Sequence, residues 1–194
     1  KEKNIKADFV TLHEGAGTFK PVKSETMQEH EMHAEFIDVS RRIIETIIGN
    51  LDDDIIAVGT TSLRTIESLY WLGVKLLATS NDTDGPQGLS QWEAYEMTGR
   101  IHSAKDALQA LINWMDRNQL ERLITKTQIL IAPGYNFKIV KGLISNFHQP
   151  QSTLLLLVAA LVGEDWRKVY DYALQHDFRF LSYGDGSLLW KKKN

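Results

Sequence analysis

Apolar and polar positions along the chain fall into two alternating periods, and the change from one to the other marks out the elements. Ile43, Ile44, Ile47 and Ile48 occupy one helical face between Ser40 and Gly49, which predicts a short amphipathic helix capped by the serine. Ser103 opens a second helical pattern that turns Ala107, Leu108, Leu111 and Trp114 inward. Leu154 to Val162 is almost wholly apolar, which predicts a deeply buried helix whose free N–H groups meet the hydroxyls of Ser152 and Thr153. Gly163 and Asp165 then restart a helix carrying Trp166, Val169, Tyr170 and Ala173, with His176 placed to meet the last free carbonyls. Strand-like runs cover Ala7 to Leu12, His33 to Val39, Ile55 to Val58, Gln128 to Ile131, Phe178 to Ser182 and the stretch after Gly186.

Two connections organise these elements. Ile55 to Val58 turns at Gly59-Thr60-Thr61-Ser62 into a helix with Leu63, Ile66, Leu69 and Tyr70 on one face and Gly73 at its close, half of a βαβ unit. Lys141-Gly142 stands between the alternating runs Phe137 to Val140 and Leu143 to Asn146, which predicts a tight β-hairpin. The expected architecture is α/β, a mixed sheet with flanking helices whose strand ends converge on one pocket. Residues 73 to 127 carry the weakest pattern, with Asp82 to Gly88 a turn cluster.

Composition changes this picture little. The chain has 194 residues, 43% hydrophobic and 24% charged, enough for one substantial core, and a net charge of -3 that does not advertise nucleic-acid binding. It contains no cysteine, which excludes disulfides and a thiolate nucleophile. Its longest apolar run is far short of the roughly 20 residues that span a bilayer, and no charged-then-apolar leader opens it, so a cytoplasmic protein without membrane contact is expected. Lys191 to Lys193 reads as a solvated tail first and a phosphate contact second.

Candidate chemistry lies where strands end. Asn146-Phe147-His148 closes one strand and faces the N-terminus of the helix beyond Pro150, a place where α/β sheets bind ligands and where any connection also needs polar residues. Thr60, Thr61 and Ser62 suit a carboxylate, ribose or phosphate, or simply cap their helix. Arg64 offers a bidentate clamp that Glu67 can pair. Gly15 and Gly17 permit close backbone approach, as a ligand-cradling or a plain loop. His30 and His33 invite a metal, but strand alternation puts them on opposite faces. Asp185, between glycines, is a turn residue or a carboxylate held at a sheet edge.

Seven segments together resemble the S-adenosylmethionine:tRNA ribosyltransferase-isomerase family of queuosine biosynthesis. They are TLHEGAGTF (Thr11 to Phe19), EHEMHAE (Glu29 to Glu35), VGTTSLRTIES (Val58 to Ser68), the PGY-F, NFH-P and STLL-LV elements between Pro133 and Val158, and RFLSYGDGSLL (Arg179 to Leu189). The resemblance implies that residues 1–194 form a single α/β domain, the C-terminal part of a longer protein, without the family's small inserted β-barrel. It implies ribosyl transfer from S-adenosylmethionine to 7-aminomethyl-7-deazaguanine in tRNA and isomerisation to epoxyqueuosine, with S-adenosylmethionine as substrate and no cofactor or metal.

In that frame His148, His13 and His33 are the acid or base candidates and Asp185 balances the sulfonium or orients a ribose. Thr60, Thr61, Ser62 and Arg64 hold the methionine carboxylate, and Gly15, Gly17, Tyr135, Asn146 and Tyr183 join the substrate-binding set. Departures are Gln149 and Gln151, where the family has leucine and a basic residue, and Gly186, where it has alanine. They keep open a divergent small-molecule transferase, alongside a non-catalytic RNA-binding module. The 194 residues alone are expected to fold, as a homo-oligomer covering an open sheet edge, without catalysing the reaction.

Overall fold

The structure, a computed structural model, describes residues 5–13, 32–78, 85–99 and 102–192. His30, Gly15 and Gly17 lie outside them, as do the side chains of His13 and Tyr183. The architecture is mixed α/β, with sheets flanked by helices and no closed barrel among the described residues.

Among the described residues six strands form two sheets of three. β1 (Thr11–His13), β2 (Glu35–Ser40) and β4 (Arg122–Thr127) are antiparallel in the order β1-β2-β4. β3 (Ile56–Val58), β5 (Gly142–Asn146) and β6 (Gly186–Trp190) form the second sheet in the order β3-β5-β6, with β3 parallel to β5 and β6 antiparallel to it. The sheets interleave in sequence, because β3 falls between the paired strands β2 and β4.

Between them runs α2 (Thr60–Ala78), buried on every side from Leu63 to Val74 because both sheets and a second helix close over it. It does not stop at Gly73. A β-carbon there would lie 2.0 Å from the carbonyl oxygen of Ala107, so this glycine lets α4 (Ala104–Arg117) cross α2 backbone to backbone. Ser103 caps α4 as expected, its Oγ accepting from Asp106 N at 3.0 Å. Ile112 and Met115 join Leu108 and Leu111 in the core, leaving Trp114 half-buried.

α1 (Arg41–Gly49) buries Ile43, Ile44 and Ile47, but Ser40 makes no side-chain cap; Arg41 N instead donates to Glu121 O at 2.9 Å. α5 (Thr153–Val162) is capped by Ser152, whose Oγ accepts from Leu154 N and Leu155 N, both at 3.2 Å. α6 (Trp166–Gln175) ends at His176, which meets Tyr172 O as anticipated. A short helix, α3 (Glu93–Glu96), lies between α2 and α4 in the chain.

The expected hairpin is absent. β5 pairs with β3 and β6, and the run Phe137 to Val140 forms no strand, because the Glu67 carboxylate takes its amides. Lys138 N donates to Oε2 at 2.9 Å, and Ile139 N and Val140 N donate to Oε1 at 3.0 and 2.9 Å. A fully buried carboxylate from α2 thus satisfies three successive donors that a partner strand would otherwise have met. Gln128 to Ile131 lies outside any strand, with Ile129 to Ile131 buried and Gln128 N and Leu130 N bonded to Leu89 O and Gln91 O. Phe178 to Ser182 is likewise no strand: Arg179 N turns to the Asp185 side chain, and Leu181 sits at φ 63°.

Candidate active site at a sheet edge

Parallel pairing of β3 with β5 sets the carboxyl ends of two strands side by side, the arrangement that opens a crevice in α/β sheets. Val58 lies opposite Ile144, and Gly59 N donates to Ile144 O at 2.8 Å. Gly59 takes φ 91°, a left-handed conformation that lets the chain leave β3 and enter α2 at once. β6 starts at the same edge, with Gly186 opposite Asn146. The register therefore gathers the Gly59–Ser62 turn, Asn146 to His148 and Asp185 at one end of the second sheet.

His148 is the most constrained of these residues, with 5% of its surface exposed. Its Nε2 lies 2.9 Å from Ser145 Oγ, and its backbone N donates to Tyr170 OH at 3.0 Å. Phe147 anchors the turn, its carbonyl accepting from Leu181 N at 2.9 Å and its ring packed edge-on to Tyr170 and Phe178. Burial lowers the imidazole pKa from 6.5 to about 4. At neutral pH the ring is uncharged: it can take a proton but holds no imidazolium proton to give. Ser145 Oγ orients it, whichever nitrogen carries the hydrogen.

Around it, Thr60 is the first residue of α2 and is buried, while Thr61, Ser62 and Asn146 are half-buried. These polar groups flank the N-terminus of a 19-residue helix, whose dipole favours an anion. Asp185 reaches back to Arg179, accepting from its backbone N at 2.8 Å and from Nη2 at 3.1 Å. The side-chain hydrogen bond from Arg179, then the backbone one, hold its carboxyl below the ordinary range. It is ionised, and its charge is already matched.

Other sequence candidates stand elsewhere. Arg64 points away from the turn into the core, donating from Nη1 to Glu35 Oε1 at 2.8 Å and from Nε to Ile129 O at 3.1 Å. It ties α2 to β2, and it does not pair with Glu67. Tyr135 OH accepts from Trp71 Nε1 at 2.8 Å and donates to Glu67 Oε2 at 2.9 Å. Burial, then the charge of Glu67, push its phenol well above the ordinary value, so it serves as a fixed link in the core. His33 is exposed just ahead of β2 and outside any strand, and His13 lies in β1 of the first sheet, opposite Phe36. Among the described residues no group of three or more His, Asp or Glu side chains could hold a metal ion.

Sequence reasoning passed over Ser145, Tyr170 and Arg179. Ser145 stands three residues before His148 in Ser145-Asn146-Phe147-His148, a spacing that a strand ending in a turn can bring together. Tyr170 reads as core from its helical face, and nothing local announces that its hydroxyl serves a backbone amide.

No described helix is long and apolar enough to cross a membrane. The solved structure of an S-adenosylmethionine tRNA ribosyltransferase from Thermotoga maritima is similar at 28% identity and a TM-score of 0.51, over 79% of this chain and 40% of that one. The chain thus spans about 40% of the length of that enzyme. The family described as queuosine biosynthesis protein matches residues 1–189, so the chain belongs to that family.

Proposed function

We propose that this chain is the His148-bearing part of an S-adenosylmethionine:tRNA ribosyltransferase-isomerase. The reaction moves the ribosyl group of S-adenosylmethionine to the aminomethyl group of 7-aminomethyl-7-deazaguanine in tRNA. The ribose is rearranged to an epoxycyclopentane, and adenine and methionine leave. The reading is carried by a buried, uncharged histidine fixed by Ser145 beside the N-terminus of α2, in a chain matched by this family.

Each residue at the edge then has a task. His148 takes the proton from the carbon made acidic by the adjacent sulfonium, since a neutral imidazole suits a base and not an acid. The Gly59–Ser62 turn holds the methionine carboxylate through the helix dipole and the hydroxyls of Thr61 and Ser62. Asp185, locked to Arg179, orients the ribose. Asn146, at the end of β5 two residues before His148, supplies an amide to the developing alkoxide. Arg64 positions the turn through α2 and does not touch the donor.

In the full-length enzyme, His148→Ala should cut single-turnover adenine release by about 10² or more with the fold intact. An unchanged rate removes His148 from the chemistry. Gln149 and Gln151, both exposed, flank Pro150 at the turn before α5, where a changed RNA contact would be felt. Filter binding of precursor tRNA at low salt separates this reading from a transferase acting on small molecules, which would retain no tRNA.

A further inference from the structure

Lys168, Tyr172 and His176 recur at every fourth position of α6 and so share one stripe of the helix, turned away from the core that Tyr170 and Ala173 enter. Tyr172 is 57% exposed. His176, exposed as well, donates from Nδ1 to Tyr172 O at 2.8 Å, and that bond lays the imidazole over the phenol, with centroids 3.9 Å apart and planes 19° from parallel. The other ring pairs among the described residues meet edge-on or tilted. The stack leads to the candidate site: the Tyr172 ring meets that of Phe178 at 6.1 Å, and Phe178 meets Phe147, the residue before His148, at 5.6 Å. Arg179, which holds Asp185, follows Phe178 directly.

Two parallel rings at a surface present an outer ring face to solvent, and a third flat ring extends such a stack. Charge does not define this face. The cations beside it, Lys168 and Arg179, are matched by Asp165 and Asp185, while Asp171 and Asp177 stand exposed. A partner held here is therefore recognised through its rings and not through phosphates. We propose that the Tyr172–His176 stack receives an unpaired base of the tRNA that neighbours the base modified at the site. The inference rests on the reading of this chain as part of a tRNA ribosyltransferase. A target base must leave its own stack to enter a site, which strips its neighbour of a stacking partner. Aromatic side chains take up such bases in RNA loops, because every base has a π-face. Two ring contacts from Phe147, Tyr172 stands where that replacement is needed. The adenine of S-adenosylmethionine has the same ring chemistry, and the experiment separates the two sources.

Tyr172→Ala, Tyr172→Leu and Tyr172→Phe are made in the full-length protein, and each is assayed for filter binding of precursor tRNA and for the KM of S-adenosylmethionine at saturating tRNA. Alanine and leucine should weaken tRNA binding about 5–100-fold, the range of one lost base stack, with the salt dependence unchanged because no phosphate contact is lost. Phenylalanine should bind as the wild type does, since the stack needs the ring and not the hydroxyl. Unchanged tRNA affinity in the alanine and leucine variants, beside a wild type that binds, overturns this inference and leaves the ribosyltransferase reading standing. A raised KM for S-adenosylmethionine with tRNA affinity intact gives the stack to the donor's adenine and overturns it as well. A wild-type protein that retains no tRNA overturns both.

Discussion

Glu67→Gln replaces one oxygen of the carboxylate that folds the segment from Tyr135 to Val140. The oxygens divide their work: Oε1 accepts from Ile139 N and Val140 N, and Oε2 accepts from Tyr135 OH and Lys138 N. A glutamine that keeps its carbonyl at the Oε1 position preserves two amide bonds. Its NH2 then faces the Lys138 amide, donor against donor, and a hydroxyl already accepting from Trp71. Hydrogen bonds to a charged group contribute about 1.5–3 kcal/mol each, and a stranded buried donor costs about 1–3 kcal/mol. Discounting for relaxation, the substitution should cost about 3 kcal/mol. That is a substantial part of a stability that rarely exceeds about 15 kcal/mol, and for a chain of this size it lowers Tm by roughly 6–12 °C. Urea unfolding read by circular dichroism gives the number directly. A loss below about 1 kcal/mol with an unchanged slope would show that the segment is held by its apolar side chains, and the account of the missing hairpin would fall.

Three more outcomes follow from the geometry. His148 titrates lower in the folded chain than its ordinary 6.5, so the unfolded chain binds the extra proton; stability should fall as pH drops from about 6.5 to about 4, by up to about 3 kcal/mol, and His148→Gln should remove that part of the pH dependence of the urea midpoint. Gly73→Ala should cost about 3 kcal/mol or more, or abolish soluble expression, because its methyl meets a backbone carbonyl of α4 that cannot yield, whereas Gly49→Ala, with nothing within 4 Å, should stabilise by up to about 1 kcal/mol; paired melting curves check both. Ser152→Ala should cost about 1 kcal/mol by freeing two amides at the start of α5, measured in the same way.

What the sequence discloses here is governed by distance along the chain. The helices holding Ile43, Leu108, Leu157 and Tyr170 are legible because an apolar face at helical spacing needs only its own residues to be recognised. The turn at Gly59 and the edge at Asn146 to His148 are legible for the same reason. Phe137 to Val140 alternates as a strand would, and the carboxylate that prevents it stands about 70 residues earlier, where no local pattern connects them. Gly73 and Arg64 each carry a local meaning, helix stop and anion clamp, that tertiary partners override: a carbonyl of α4 needs the space at Gly73, and Glu35 takes the guanidinium. At the candidate site, the histidine announced itself, and the serine that orients it did not.

The interleaving of the two sheets shapes how the chain can be made. As it leaves a ribosome, β2, the central strand of its sheet, is complete at Ser40, but its second partner β4 begins only at Arg122, after β3 and α2 have been delivered. At roughly 5–20 residues per second, that places about 4–16 s of synthesis between the two. Through that interval the apolar positions Ile37 and Val39 have only β1 and nearby helices to rest against. Folding must wait for late-arriving strands, so the nascent protein calls for slow handling during translation, and neither sheet can be excised as a self-contained module.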